Sequence, residues 1–251
     1  MPEVILGVTE MAIVAGPLVA LIGLALVLRP QERPWGPATA ALGVLVAWYA
    51  VVHVLISAGA FQTPVAGTLP SVLLVTIPLV AGVLVVCLAP SVRRLVSERG
   101  IPAGLVGLQS YRVVGGAFLV LFAMHRMPVL FALPAGVGDL LIGISAWPVA
   151  AALREGRLSR VVIWNVLGLL DLVLGVGLGV AASPALHLSP DGVTTQALTT
   201  MPVALVPTFL VPVSILLHVA SLRTLPGLRT RRNQAVPPVR ATYGPAARPS
   251  I

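Results

Sequence analysis

VVIWNVLGLLDLVLGVGLGVAA, residues Val161–Ala182, runs for 22 residues with a single ionisable side chain, Asp171. A helix rising 1.5 Å per residue needs roughly 20 apolar residues to cross the hydrocarbon core of a bilayer. This stretch has that length and that character. Six others share them: Val8–Leu28, Ala38–Ala60, Ser71–Ala89, Leu105–Met127, Val129–Ala151 and Met201–Leu222. Proline and short polar clusters separate the spans, as at Arg29–Pro34 and Gln62–Pro64. The sequence therefore predicts an all-α polytopic membrane bundle of seven transmembrane helices.

Composition agrees. The 251 residues are 57% apolar and 10% charged, with a mean hydropathy of +1.01, against about 25% charged residues in soluble domains. One water-soluble core cannot hide so much apolar surface. All 16 basic residues are arginine, which excludes chemistry that needs a lysine, a retinal Schiff base included. The one cysteine, Cys87, excludes an internal disulfide and a thiolate metal cluster. No arginine precedes the first span, which carries Glu3 and Glu10 and is longer than a signal-peptide core, so it is expected to be a retained span.

Arginines set the orientation, because cytoplasmic loops concentrate them. Loops one, three and five and the segment after span seven carry 14 of the 16, the opposite side carries Arg126 alone, and Arg112 lies within a span. The expected topology has the N-terminus outside and the C-terminus cytoplasmic, with residues 1–223 as the membrane domain and 224–251 as a disordered basic cytoplasmic tail. The net charge of +8 is loop charge, attracted to anionic lipid headgroups. No recognition fold accompanies it, so nucleic acid is not an expected partner.

Ionisable residues near mid-bilayer cost roughly 2.5–3.5 kcal/mol each and mark function by default. Arg112, Asp139 and Asp171 stand at depths of roughly 12, 18 and 16 Å from the cytoplasmic ends of spans four, five and six, which permits one charged layer. Each aspartate has glycine at i−3 and i+4, Gly136 and Gly143 or Gly168 and Gly175. Those positions share its helical face and let neighbouring backbones approach. The aspartates should therefore face the bundle interior, with Tyr111, Gln109 and Asn165 as nearby donors.

His218 in span seven lies on a polar stripe with Ser214 and Ser221, which suits either a proton relay or a bond to a neighbouring carbonyl. Pro202, Pro207 and Pro212 should kink that span. The depths of His53 and His218, roughly 22 and 6 Å, forbid a shared haem. No ligand spacing points to a metal. No cofactor is expected.

The motifs Tyr111–Gly115, Leu133–Asp139, Trp164–Asp171 and Leu205–Pro212 with His218 resemble an uncharacterised family of bacterial seven-helix integral membrane proteins over the last four spans. The resemblance implies a multi-pass protein of the bacterial cytoplasmic (inner) membrane and supplies no catalytic roles. Three functions fit the residues. The first is a small-solute or proton-linked transporter in which Arg112, Asp139, Asp171, Asn165, His218, Tyr111, Gln109 and His53 bind an unknown small molecule or relay protons. The second is an enzyme acting on a lipid or isoprenoid by acid catalysis. The third is a non-catalytic accessory or sensor protein.

Overall fold

The computed structural model describes residues 2–29, 36–62, 68–98 and 100–235. Helices α1 (Pro2–Val27), α2 (Pro37–Ser57), α3 (Thr68–Leu88) and α4 (Pro90–Val96) come first, then α5 (Ile101–Leu108) and α6 (Ala117–Ala123), and finally α7 (Val129–Arg154), α8 (Leu158–Ala181) and α9 (Val211–Ala235). Among the described residues, six helical stretches are long and apolar enough to cross a membrane, and α3 with α4 makes a seventh if that bent pair is one span. Leucine, isoleucine and valine stand exposed along α1, α2, α7 and α8. On a soluble protein that surface would be an aggregation hazard; around a multi-pass membrane protein it is the lipid-facing side.

Each element follows from its residues. On α1 the buried positions are Thr9, Ile13, Gly16, Pro17, Ala20, Leu21 and Leu24, a stripe repeating at three and four residues as a one-sided helix requires. That stripe packs on the fourth span. The chain bends by 78° between α3 and α4. Ala89 there is extended, because the ring of Pro90 disfavours helical geometry in the residue before it. Arg93 and Arg94 point outward from α4 while Leu95 and Val96 are buried.

Spans four and seven lie innermost, with 61% and 67% of their apolar windows buried against 11% for α2. Both depart from regular helix, span four at mid-length and span seven at its start. Span four tightens into a 3-10 segment, Gln109–Gly116, between α5 and α6. Span seven opens with turns at 201–204 and widens into a π segment, Val206–Leu210, before α9. The kink expected of three prolines thus falls around Pro202 and Pro207, and the α-helix proper starts one residue before Pro212.

One sequence expectation changes. The last helix continues past Arg223 to Ala235, and Thr224 and Leu225 are buried, so the first part of the segment read as a disordered tail is helical. An apolar pair, Leu225 and Leu228, packs it against α5, α7 and α8 residues such as Ala103, Ala150 and Val161. Residues 236–251 lie outside the described residues, as do Arg33, Arg99 and the loop centre at 63–67. His125 follows the end of α6. It takes the left-handed conformation, φ 56°, and Arg126 N–H reaches back to Leu121 O at 2.8 Å, the six-to-one bond that closes a helix.

An interloop contact fixes the far end of α7. No side chain caps that helix from its own N-cap, Pro128. Asp191, from the loop before span seven, fills the role: its Oδ2 accepts from Val129 N–H at 2.7 Å, and its Oδ1 accepts from Ser189 Oγ at 2.6 Å. These bonds, the one from Ser189 foremost, hold its carboxyl below the usual carboxylate range. A lowered folded-state pKa stabilises above the ordinary range and is lost as pH falls through the folded value. Asp191→Ala is expected to lower the melting temperature at neutral pH, with the gap to wild type closing as the pH is taken down through the acid range. Melting curves at a series of pH values in detergent check this.

Candidate functional site

The 3-10 segment of span four places Arg112. With three residues per turn, Gln109, Arg112 and Gly115 stack on one side, and all three are buried. Arg112 is 3% exposed, yet every nitrogen of its guanidinium has a partner. Nε donates to Asp139 Oδ1 at 2.7 Å, and Nη2 meets the same oxygen at 2.7 Å. Nη2 also donates to Asp171 Oδ2. Nη1 reaches His218 Nε2 at 3.2 Å and the Gly168 carbonyl at 3.4 Å. One arginine thus ties α7, α8 and α9 together at a single point.

The hydrogen bonds fix the histidine tautomer. A guanidinium has no acceptor, so Nε2 of His218 must accept and carries no proton. Nδ1 therefore bears it and donates to Asn165 Oδ1 at 2.9 Å. Asn165 in turn donates from Nδ2 to Val161 O at 2.8 Å and to Ser221 Oγ at 3.1 Å. His218 and Asn165 are both fully buried. The indole of Trp164 lies 5.2 Å from the imidazole, centroid to centroid, and donates to Ser145 Oγ at 2.8 Å.

A second network joins span four to span seven. The Tyr111 hydroxyl donates to Leu210 O at 3.2 Å, which leaves the Ser214 hydroxyl as the donor in their 2.6 Å contact. Gln109 Nε2 donates to Ser214 O at 3.0 Å, and Gln109 Oε1 is buried without a hydrogen-bond partner among the described residues. Between the two networks lies a cavity of about 20 Å³, bounded by Tyr111, Arg112, Gly115, Asp139, Val206 and Ser214 among others. Such a volume holds about one water.

Glycines make room for the charges. Of the four that flank the aspartates, Gly143 lets the backbone of span four come close: a Cβ there would lie 2.7 Å from Val113 N. Gly168 accommodates the His218 ring, and Gly136 the Leu119 side chain. Gly175 faces only Ala135 Cβ, at 3.7 Å. The spacing rule passes over Gly115 and Gly138, where the carboxylates of Asp139 and Asp171 occupy the space a Cβ would need. Gly138→Ala is therefore expected to displace Asp171 and to lower the melting temperature well below that of wild type. Gly175→Ala should sit within a degree or two of it, as an ordinary van der Waals contact permits. A matching loss in both variants would contradict the assigned packing.

The structure brings Arg112, Asp139, Asp171, Asn165 and His218 into one network, and Tyr111 and Gln109 into the adjoining one. His218, placed below the charged layer by its depth, joins it because its ring and the long arginine side chain close the gap. His53 stays apart, exposed on α2 with its ring 6.0 Å from that of Tyr49. Sequence reasoning passed over Trp164 as a ring partner and Ser145 as its acceptor; Trp164 opens one of the quoted motifs, but nothing in it signals the ring contact.

No curated protein and no solved structure matches the chain. A family model does match, over residues 68–226, a range that takes in every side chain of both networks and leaves out α1 and α2. On that match the chain belongs to the family described as Domain of unknown function (DUF8737).

Proposed function

We propose that this protein is a proton-linked transporter of a small solute, with the Arg112–Asp139–Asp171 cluster as its proton site. The charge count carries the reading. One guanidinium stands against two carboxylates, and a surplus negative charge inside a bilayer is costly. One proton shared by the two carboxylates removes it. His218 and Asn165 extend the chain of polar groups towards the arginine-rich ends of the spans, and Tyr111 and Gln109 line the approach from span seven. The irregular stretches on either side, a 3-10 segment and a π segment, support movement there, since such breaks mark hinges and functional sites in helices.

In this reading the protein has seven spans, with the N-terminus outside and the C-terminus in the cytoplasm of a bacterial inner membrane. The 14-to-1 partition of loop arginines supports that topology. Reporter fusions after Arg157 and at Asp191 should report cytoplasm and exterior respectively.

A second reading, a non-catalytic accessory protein in which the cluster only fastens helices, is favoured by the size of the cavity beside the charges, about 20 Å³, too small for a solute. That size also disfavours a lipid-modifying enzyme, which needs an apolar groove leading to its acid. Infrared spectroscopy of the protein in lipid separates the first two. The transporter reading expects a protonated-carboxyl band that disappears as pH rises and is removed by Asp139→Asn or Asp171→Asn. A spectrum in which neither substitution touches a titrating carboxyl band supports the fastening role.

A further inference from the structure

A cavity of about 1130 Å³ shares no lining residue with the charged cluster. It opens beside the start of α8, bounded by the α7–α8 loop (Glu155, Gly156, Arg157), the first turns of α8 and the face of α9 from Leu222 to Thr230. Its rim is basic. Arg157, Arg160 and Arg229 line it together with one acid, Glu155, which is already paired with Arg157. Arg160 and Arg229 are exposed and have no acidic partner among the described residues. Arg223, on the same helix, differs: it is spent on the Cys87 carbonyl at 2.6 Å.

The rest of the wall is apolar, with Leu158, Val162, Leu222, Leu225 and Pro226. Val162 is 40% exposed and its neighbour Ile163 60%, so the groove is continuous with the lipid-facing side of α8. The two membrane-span candidates end here, at Leu158 and Thr230, which sets the arginines near the headgroup level with Val162 and Leu222 on the acyl-chain side of them. A soluble anion would find the charge but have no use for the apolar wall. A zwitterionic lipid would find the wall but leave the cations unmatched.

We infer that this groove is a binding site for one anionic phospholipid, with its phosphate between Arg160 and Arg229 and an acyl chain along Val162 and Leu222. The inference rests on the chain crossing a bilayer and is independent of any role of the Arg112 cluster. A basic side chain near an anionic lipid surface contributes about fivefold to binding, so removing two should cost roughly thirtyfold.

The test uses the full chain in nanodiscs of phosphatidylcholine and measures binding of added phosphatidylglycerol by native mass spectrometry and by melting temperature. Phosphatidylglycerol should bind and raise the melting temperature. The Arg160→Gln/Arg229→Gln variant should lose about thirtyfold in affinity, and an Arg93→Gln/Arg94→Gln variant, with the same charge loss on α4, should keep wild-type binding. Equal losses in the two variants would mean diffuse surface charge and overturn the site. A melting shift reproduced in full by inorganic phosphate would overturn the lipid assignment, as would equal binding of phosphatidylcholine. Neither arginine side chain makes a hydrogen bond or ion pair within the described residues, so the variant is expected to fold, and its unshifted melting temperature in phosphatidylcholine alone verifies that.

Discussion

Arg112→Leu is expected to be the most damaging single change in the protein. It strips the cation from two carboxylates at once and leaves the Nε2 lone pair of His218 without its donor. Breaking a buried ion pair by removing one partner costs roughly 3–5 kcal/mol, and here both partners are stranded. Asp139→Asn and Asp171→Asn should each be much milder, because either leaves a one-to-one pair and an amide oxygen that still accepts from the guanidinium. Since the arginine touches both acids, adding Asp139→Leu or Asp171→Leu to Arg112→Leu should recover only part of the loss, and the triple change should recover most of it. Thermal unfolding in detergent, followed by tryptophan fluorescence, measures the series. Full recovery in one double variant would mean that the other aspartate does not depend on Arg112.

His218→Leu follows in size. The fully buried imidazole accepts from Arg112 on one side and donates to Asn165 on the other, so leucine orphans two polar groups in the interior. Each buried group left unpaired costs about 1–3 kcal/mol, more if charged, giving an expected loss of about 2–5 kcal/mol. Glutamine has a carbonyl oxygen for the arginine and an amide N–H for Asn165, so His218→Gln should restore a large part of the stability. His53→Leu, on an exposed face outside the network, should change little. A glutamine variant as unstable as the leucine one would show that the ring's contact with Trp164, and not its two hydrogen bonds, holds the site.

The membrane architecture was legible from span length, and the meeting of Arg112 with Asp139 and Asp171 from depth alone, because a helix converts residue number into height at a fixed rate. Azimuth was less legible. The glycine pattern on one face of each helix located Gly143 and Gly168 correctly as points of close approach, yet it credited Gly175 with a role that the neighbouring Ala135 does not demand. Gly115 and Gly138 escaped the same rule, since what fills their space comes from another helix in each case. The tightened turn at Gln109–Gly116 has no proline to announce it. Its Gly115-Gly116 pair and polar start are its only marks, and they are also compatible with plain helix. The helical course of residues 224–235 was hidden by an arginine-rich composition that reads as solvent-exposed, while Thr224 and Leu225 turn inward. The pairing of Asp191 with the end of α7 joins residues 62 apart, and no local pattern encodes it.

The widened stretch at Val206–Leu210 accommodates one residue more than an ordinary turn, and such a wrinkle can travel. If it creeps along the chain past Ser214 by trading neighbouring backbone bonds, each residue it passes swings by about 100° around the axis, the angle one residue subtends. Ser214 would then let go of Tyr111, and the water-sized hollow beside the charges would gain an exit, while His218, four residues further on, kept its hold on Arg112. Pro212 eases the passage, having no N–H to surrender. A gate of this kind works like a fold moving through a carpet: the two ends stay pinned, no helix has to part from its neighbour, and a single side chain does the opening.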